Sequence, residues 1–445
     1  MKEKFTNLSL NIYKRYIFLI FILGMRWKIP ANFSIIEVLQ ATGKAFSGKG
    51  KRMGMDYNKA ALELHAAHKG KLEVKSKVPV KCRDDLSTAY TPGVAEPCRR
   101  IHQSESAVYD YTAKGNLVAV VTNGTAVLGL GDIGPKAALP VMEGKAILFK
   151  EFGGVDAFPI CLDTKDPAEV IRAVELIAPG FGGINLEDIR SPECFEIERV
   201  LEERLDIPVF HDDQHGTAIV VTAALLNALR LVGKQLDQVR IVLNGPGAAG
   251  TAIVHMLAAA GAVDVTAVDE HGILYPGRPA GLAGHKAALA AETNPRRLTG
   301  GLAEAVQGAD VFIGVSVPGA LKPEMAAAMA EDAVVFAMAN PTPEILPDEA
   351  RAAGVRVVGT GRSDFANQIN NVLAFPGVFK GALAVRARSI NSAMKVAAAR
   401  AIAGLVSAEE LREDYIIPGA FDLRVADAVA AAVAAAARES GVAWL

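Results

Sequence analysis

Two pairs of adjacent carboxylates are the residues best suited to chemistry, Glu187-Asp188 in NLEDI and Asp212-Asp213 in VFHDDQHGT. Each pair follows a short apolar run and precedes a predicted helix, so both pairs are expected at strand ends. Like-charged carboxylates a few Å apart repel until a proton or a divalent cation relieves them. Because oxygen ligands favour Mg²⁺ or Mn²⁺ over zinc, the pattern predicts a hard-metal site. The alternative is that each pair caps a helix or lies in a solvated turn.

A second signal is a glycine-rich loop that could cradle a phosphate group. The GxGxxG pattern occurs at residues 129–134 and again at 245–250. Only the second match has the context of a dinucleotide site: a predicted strand runs into it, a predicted helix follows, and the next strand ends at Asp269, nineteen residues beyond Gly250. The alternative is a glycine-rich turn that binds no dinucleotide. The loop residues expected to contact the cofactor are Gly245, Gly247, Ala248, Ala249 and Gly250.

Asp269 is expected to decide which nicotinamide cofactor binds. An acid at this strand end accepts hydrogen bonds from the ribose hydroxyls of NAD. Asp269 is followed by Glu270 and His271 rather than by arginine or lysine, so a 2′-phosphate should be repelled. The sequence therefore favours NAD over NADP and leaves NADP possible.

Composition narrows the class of protein. The chain has 445 residues, of which 51% are apolar, enough for a large core and two or three domains. Lysine and arginine number 47 against 49 acidic residues, without basic clusters, which argues against nucleic acid as a partner. The four cysteines show no CxxC spacing, so a reducing cytoplasm and no zinc knuckle are expected.

The first 54 residues differ from the rest, with ten basic residues against two acidic ones. Lys14-Arg15 followed by the apolar run 16–24 resembles a signal peptide, but that run is too short to span a bilayer. We favour a mistaken upstream start, with Met53 or Met55 as the true beginning, over a peripheral membrane anchor. No membrane association is expected.

The elements that must position these residues alternate between strands and helices, which predicts a parallel sheet in an α/β fold. We expect an N-terminal extension (1–54), a substrate- and metal-binding α/β domain (55–214), a Rossmann-like doubly wound NAD-binding domain (215–385) and a C-terminal helical segment (386–445). Strands are predicted at 116–121, 126–128, 157–162, 183–186, 239–243, 263–268, 311–315, 334–337 and 356–358. Helices are predicted at 56–69, 135–152, 166–177, 192–205, 214–232, 248–260, 370–385 and 425–437, with an irregular segment at 87–93.

Two upstream residues, Tyr90 and Lys145, would be acid–base groups if they lay near the metal. Taken alone each is ordinary, because a tyrosine is usually a half-buried core residue and a lysine is usually solvated. The wider set of motifs changes this interpretation. The chain resembles the malic enzyme family, in its short bacterial form, through motifs in the family's order from about Met55 onwards: AYTPGVAEPC, LGLGDIG, NLEDI to HDDQHGT, GPGAAG, ANPTPE and NNVLAFPGVFKGAL.

The resemblance implies oxidative decarboxylation of L-malate to pyruvate and CO₂ with NAD or NADP and Mg²⁺ or Mn²⁺. Decarboxylation of oxaloacetate is implied as a partial activity, and a homodimer as the assembly. The family's metal ligands fall on Glu187, Asp188 and Asp213, its catalytic residues on Tyr90 and Lys145, its substrate-side asparagines on Asn340 and Asn371, of which Asn340 also lies on the cofactor side, and its supporting acid on Asp212.

This chemistry explains why these residue types are needed. Hydride loss from malate C2 requires the hydroxyl proton to leave, and Lys145, made neutral by a nearby cation, is the candidate base. A chelated divalent metal stabilises the enolate that forms when CO₂ departs. The resemblance places Tyr90 to protonate C3, with Lys145 resupplying its proton.

One position departs from the family. Larger malic enzymes carry an arginine before LGLGD that binds the substrate carboxylate, whereas this chain has Ala126. The metal with Asn340 and Asn371, or a basic residue of a partner subunit, would have to replace it.

Two other functions stay open. A malolactic-type decarboxylase would use the same residues, retain NAD and release lactate. A cofactor-binding regulatory module that lost its chemistry is disfavoured, because the acids, Tyr90 and Lys145 are all present.

Overall fold

The computed structural model of the protein describes residues 56–445, so the predicted extension over residues 1–54 lies outside the described part. The chain divides into two compact units, residues 1–64 and 65–445. Of the first unit the structure describes residues 56–64, most of which belong to helix α1 (Tyr57–His68). The second unit contains two parallel sheets and carries all of the candidate site residues.

The segment before the first sheet is made of short helices that bury nothing. These are α2 (Arg83–Ala89), α3 (Ala95–Gln103) and α4 (Val108–Tyr111). No residue from 69 to 113 is buried within the described chain. Lys71 ties the start of this segment to the body, because its backbone N–H donates to Glu143 at 2.9 Å and its ammonium donates to the Pro140 carbonyl.

The first sheet has four parallel strands in the order β2-β1-β3-β4. The strands are β1 (Leu117–Thr122), β2 (Asp156–Cys161), β3 (Gly183–Leu186) and β4 (Val209–His211). The helices that connect them are α5 (Pro135–Gly153), α6 (Pro167–Ile177) and α7 (Glu193–Arg204). Proline opens α5 and α6, where its missing N–H costs no helical hydrogen bond.

The second sheet has six strands in the order β10-β9-β8-β5-β6-β7, parallel except for the short hairpin strand β7. The strands are β5 (Arg240–Asn244), β6 (Asp264–Asp269), β7 (Gly272–Ile273), β8 (Val311–Gly314), β9 (Val334–Ala337) and β10 (Val357–Thr360). The order reverses direction between β5 and β8, the topological switch point at which doubly wound sheets bind dinucleotides.

Helix α8 (Asp212–Val232) links the two sheets in sequence and ends at Gly233, which adopts φ +70° as a C-cap. By length and composition α8 could cross a membrane, but 67% of its apolar window is buried inside the protein, as expected of a core helix. It packs against α9 (Ala248–Ala260) and against a C-terminal helix. The remaining helices are α10 (His285–Glu292), α11 (Leu302–Val306), α12 (Pro323–Ala327), α13 (Pro347–Ala352), α14 (Phe375–Ala384), α15 (Ser392–Gly404) and α16 (Arg424–Glu439).

The predicted α/β class is confirmed, and most predicted elements lie within two residues of the observed ones. The strand predicted at 126–128 is wrong: Leu128 begins a 3-10 turn, Leu128–Leu130, and Val127 pairs only through an isolated bridge to Gly131. The segment 87–93 is not wholly irregular, because α2 runs to Ala89. The strand predicted as buried at 157–162 is the half-buried edge strand β2, which has a neighbour on one side only.

Two helix starts also differ from the prediction. Helix α8 begins at Asp212, so the second acid pair forms its first turn instead of preceding it. The helix predicted from residue 370 begins as a 3-10 turn, Asn371–Leu373, before α14 starts at Phe375. Pro376 stands in the first turn of α14 and has no N–H to donate to the carbonyl four residues earlier, so a continuous helix from residue 370 is disfavoured there.

Candidate active site

The two acid pairs lie at the carboxyl ends of neighbouring strands. β3 and β4 pair in parallel with Leu186 opposite His211, and Glu187 and Asp212 follow these two residues. Parallel strands bring their carboxyl ends to one edge of the sheet. As a result Glu187, Asp188 and Asp213 each present a carboxylate oxygen within 4.8 Å of the other two.

The backbone around Asp188 fixes this approach. Asp188 adopts φ +53°, in the left-handed region that few non-glycine residues occupy, although aspartate enters it more readily than most. In this conformation its backbone N–H donates to Asp213 Oδ2 at 2.8 Å, and its carbonyl accepts from Ala126 N–H at 3.0 Å. Strained backbone of this kind persists where the surrounding structure holds it, which functional sites commonly do.

Lys145 enters the acidic cluster from helix α5. Its ammonium lies 2.6 Å from Asp212 Oδ2 and 2.9 Å from Glu187 Oε1, and 4.2 Å from the centre of the Phe375 ring. Burial by itself would lower the pKa of Lys145, but Asp212 and Glu187 more than offset this and raise the pKa above its ordinary value. Without a metal ion, Lys145 is therefore the charged partner of these acids.

Asp212 lies at the centre of the cluster and is fully buried. Besides Lys145 it accepts a short hydrogen bond from Asn371 Nδ2. Burial raises the pKa of Asp212 to about 6, with Lys145 opposing the shift. The carboxylate has room because residue 216, one helical turn later, is glycine: a Cβ there would lie 1.9 Å from Asp212 Oδ1.

These residues fit a hard divalent cation. Glu187 and Asp212 share the ammonium of Lys145, and Asp188 and Asp213 bring two further carboxylates to the same place. Burial raises the pKa of Glu187, with Lys145 opposing the shift and Asp213 adding to it. Acids in the first turn of α8 also gain from the helix dipole, but capping does not explain why they converge on Glu187. A donor set of carboxylate oxygens suits Mg²⁺ or Mn²⁺.

Tyr90 and Asn340 are not brought into this cluster. Tyr90 caps α2 with 67% of its surface exposed, and its hydroxyl makes no hydrogen bond within residues 56–445. Asn340 is exposed just beyond β9, and its Nδ2 donates weakly to the Met338 carbonyl at 3.4 Å. The Asn340 carbonyl lies against Gly129, where a Cβ would meet it at 3.3 Å, so the unused first glycine motif contacts this loop.

The second glycine motif has the geometry of a dinucleotide loop. Gly245 ends strand β5 at φ +100°, and Gly247 is the N-cap of α9. A Cβ on Gly250 would lie 2.1 Å from the Gly245 carbonyl, so only glycine allows this helix to approach the strand. Ala248 and Ala249 open α9, whose N-terminus presents unpaired N–H groups to an anion. Beside the loop lies an open cleft of about 510 Å³, lined by Asn244, Gly245, Asp269 and Ser316 among others.

Asp269 lies at the end of β6 as predicted, but its carboxylate is already paired with two cationic side chains. Arg278 binds it through two hydrogen bonds of 2.7 and 2.8 Å, and Lys286 adds a third at 2.9 Å. Burial tends to raise the pKa of Asp269, but these partners hold it at about 2. Glu270 and His271 follow Asp269 in sequence, but the fold adds two cations from farther along the chain, Arg278 after β7 and Lys286 in α10.

Several residues of the site escaped the sequence analysis. Asn185 Nδ2 donates to Glu187 Oε2 at 2.9 Å, and Glu198 of α7 binds the start of α8. Asn185 could have been predicted, because side chains two residues apart along a strand lie on the same face and Asn185 stands two residues before Glu187. Glu198, Arg278 and Lys286 could not have been predicted, because only the tertiary fold brings them to their partners.

An acid cluster at the carboxyl edge of one parallel sheet, in a chain that also contains a Rossmann-like domain, is typical of a nicotinamide-linked enzyme. The family model "Malic enzyme, N-terminal domain" matches residues 69–202, and "Malic enzyme, NAD binding domain" matches residues 214–438. The chain belongs to the malic enzyme family.

Similar proteins agree with this assignment. The chain is 60% identical over 389 residues to the "Bifunctional malic/malolactic enzyme" of Bacillus subtilis, covering 87% of this chain and 95% of that one. It is 59% identical over 374 residues to the "NAD-dependent malic enzyme" of Geobacillus stearothermophilus, covering 84% and 78%. The crystal structure of malic enzyme from Pyrococcus horikoshii matches with a TM-score of 0.83 at 50% identity, covering 87% of this chain and 92% of that one.

Proposed function

We propose that this protein catalyses the divalent-metal-dependent oxidative decarboxylation of L-malate to pyruvate and CO₂ with a nicotinamide cofactor. The observation that carries the proposal is the convergence of Glu187, Asp188 and Asp213 within 4.8 Å, next to a buried lysine. Purified protein supplied with malate, NAD and Mn²⁺ should form NADH and pyruvate in equal amounts. No turnover with either cofactor would overturn the proposal.

Lys145 is the proposed base, and Asp212 its hydrogen-bond partner. Lys145 Nζ would accept the proton of the C2 hydroxyl, and a bound nicotinamide cofactor would supply the hydride acceptor for C2. A neutral lysine is required at that moment. Lys145 donates to Asp212 at 2.6 Å, and a divalent cation held beside it by Glu187 would favour the neutral amine, because a nearby positive charge lowers the pKa of a lysine.

Glu187, Asp188 and Asp213 are the proposed ligands of Mg²⁺ or Mn²⁺. A bound ion would supply Lewis acidity and would stabilise enolate charge. Asn185 orients one ligand by donating to Glu187. Asn371, which hydrogen-bonds Asp212, and Asn340, just beyond β9 of the second sheet, are the proposed substrate-side amides. Tyr90 is the proposed proton donor to C3.

NAD is the proposed preferred cofactor, with NADP accepted less well. In support, Asp269 stands at the end of β6, where ribose hydroxyls bind, and the relative that is 59% identical is named NAD-dependent. Arg278 and Lys286 oppose this preference, because they neutralise Asp269 beside the same cleft. The ratio of kcat/KM with NAD to that with NADP tests the proposal, and a ratio below one would reverse it.

A second activity is favoured by one comparison. The Bacillus subtilis relative is named a malic/malolactic enzyme. We propose that this chain shares the capacity to form lactate from malate, through pyruvate reduced by NADH that has not dissociated. Quantifying lactate against pyruvate in one reaction mixture tests this, and an absence of lactate at every NAD concentration would exclude it.

We propose a homodimer in which a second copy covers residues 69–113. None of these residues is buried, and eight of them are large hydrophobic side chains left exposed. They are Leu72, Val74, Val78, Val80, Leu86, Tyr90, Val94 and Tyr111. A surface of this kind is typical of an interface. Light scattering after size exclusion should give twice the monomer mass, and Leu86→Asp should shift it towards the monomer. A native monomer would contradict the proposal.

A cytoplasmic location is proposed on the state of the cysteines. Cys82, Cys98, Cys161 and Cys194 are all unpaired, as expected in a reducing compartment. Fractionation of the native source tests this, and activity in a membrane or secreted fraction would oppose it.

A further inference from the structure

A buried carboxylate outside the metal ligands holds the start of helix α8. Glu198 lies in the middle of α7 with 6% of its surface exposed. Its Oε1 accepts the backbone N–H of His211 at 2.7 Å. Its Oε2 accepts from Gln214 Nε2 and His215 Nε2, both at 3.0 Å. One side chain therefore contacts three residues that flank the acid pair on both sides.

The position of these contacts matters because Asp212 and Asp213 occupy the turn between them. His211 is the last residue of β4, and Gln214 and His215 follow Asp213 in the first turn of α8. Fixing the backbone at residue 211 and two side chains at 214 and 215 fixes the rotation of that turn about the helix axis. The rotation decides whether Asp213 faces Glu187 and whether Asp212 reaches Lys145.

The energetics favour a charge at this position. A buried carboxylate is costly unless it accepts several hydrogen bonds, and Glu198 accepts three. Burial tends to raise its pKa, but His215, Lys395 and His211 together hold it at about 2. Lys395 comes from the C-terminal helix α15 and lies 5.9 Å from the centre of the Phe210 ring. Glu202, one turn further along α7, is the other acid that faces this lysine.

We propose that Glu198 is a positioning residue that sets the metal-binding geometry of Asp213 and the contact of Asp212 with Lys145. The inference rests on the proposed metal site. Glu198 would act on that site through its neighbours, without contacting the ion or the substrate. Groups that orient metal ligands through hydrogen bonds typically change metal affinity about 10- to 100-fold when removed.

The test compares Mn²⁺ affinity, measured by electron paramagnetic resonance on cofactor-free enzyme, among the native protein, Glu198→Ala, Glu198→Gln and Glu203→Ala. Glu203 is the matched control, an exposed glutamate on the same helix that pairs with Arg199. Glu198→Ala should weaken Mn²⁺ binding at least 10-fold and lower kcat for malate, with NAD affinity unchanged. Glu198→Gln keeps an acceptor for His211 N–H and should recover Mn²⁺ affinity to within about threefold. Glu203→Ala should bind like the native protein.

The outcomes separate the possible explanations. A folded Glu198→Ala with native Mn²⁺ affinity overturns the inference, as does a loss of thermal stability without any change in Mn²⁺ binding. If Glu198→Ala does not fold, Glu198→Asp is measured instead. Its shorter side chain can reach either the His211 N–H or the side chains of Gln214 and His215, but not both. Native Mn²⁺ affinity in Glu198→Asp would overturn the inference. Native protein that binds no Mn²⁺ would instead refute the proposed metal site itself.

Discussion

Removing the charge of Asp213, a proposed metal ligand, should raise the free energy of unfolding of the metal-free protein. The three candidate ligand oxygens lie within 4.8 Å of one another, so each pair of charges repels by about 3.5 kcal/mol at an effective dielectric constant of 20. Asp213→Asn removes two of the three repulsive pairs and keeps an oxygen to accept the Asp188 N–H. Solvent screens Asp213, whose side chain is 35% exposed, and reduces the expected net gain to about 1 kcal/mol.

The same substitution should remove stabilisation by metal. At 100 times the dissociation constant, Mn²⁺ should add about 2.7 kcal/mol to the free energy of unfolding of the native protein. A 100-fold weaker site gains only about 0.4 kcal/mol at the same concentration. Urea unfolding in EDTA and in Mn²⁺ measures both effects. Asp348→Asn, at a side chain that is 95% exposed, is the control and should change neither.

Two results would refute this reasoning. If Asp213→Asn were less stable than the native protein in EDTA, repulsion among the acids would not govern the stability of the metal-free site. If Mn²⁺ stabilised the variant as much as the native protein, Asp213 would not be a ligand. The change in the free energy of unfolding in EDTA therefore distinguishes two cases. It rises if the native site is held together against charge repulsion, and it falls if Asp213 only makes an ordinary buried hydrogen bond, whose loss destabilises.

Three further substitutions test other parts of the site. Lys145→Ala should lower the rate of hydride transfer at least 100-fold with a much smaller change in malate affinity, and pre-steady-state NADH formation measures it; an unchanged rate would remove Lys145 as the base. Gly216→Ala places a Cβ 1.9 Å from Asp212 Oδ1 and should lower kcat at least tenfold, whereas Gly404→Ala, where a Cβ meets nothing within 4 Å, should leave kcat unchanged. Asp269→Ser removes the carboxylate that Arg278 and Lys286 share and should raise the kcat/KM ratio of NADP to NAD at least tenfold, about 1.4 kcal/mol; no shift would mean that another residue sets cofactor choice.

Much of the fold follows from local pattern, and the exceptions have physical causes. Apolar runs ending in acids predicted β3 and β4, and because parallel strands end at one sheet edge, the meeting of Glu187 with Asp213 follows from topology alone. The strand predicted at 126–128 was wrong because a 3-10 turn begins at Leu128, which apolar periodicity does not register. Secondary structure was therefore predictable where hydrophobic period and turn residues agreed.

The candidate site was predictable only in part. Lys145 came from family motifs, since no local pattern shows that helix α5 directs it towards two strand ends. The ion pairs of Asp269 could not be foreseen, because Arg278 and Lys286 reach it through tertiary folding across nine and seventeen residues. The role of Glu198 could not be predicted for the same reason. A glutamate on an amphipathic helix is normally solvated, and this one is buried by tertiary packing, including that of α7 against β4.

The most direct test of metal-assisted oxidative decarboxylation is one stoichiometry experiment. Protein stripped of metal with EDTA is given malate and NAD, then Mn²⁺, while NADH, pyruvate and lactate are measured together. We predict no product before Mn²⁺ is added, and afterwards NADH equal to pyruvate, with any lactate formed lowering both equally. Pyruvate released at full rate without metal, or pyruvate in excess of NADH, would contradict the account.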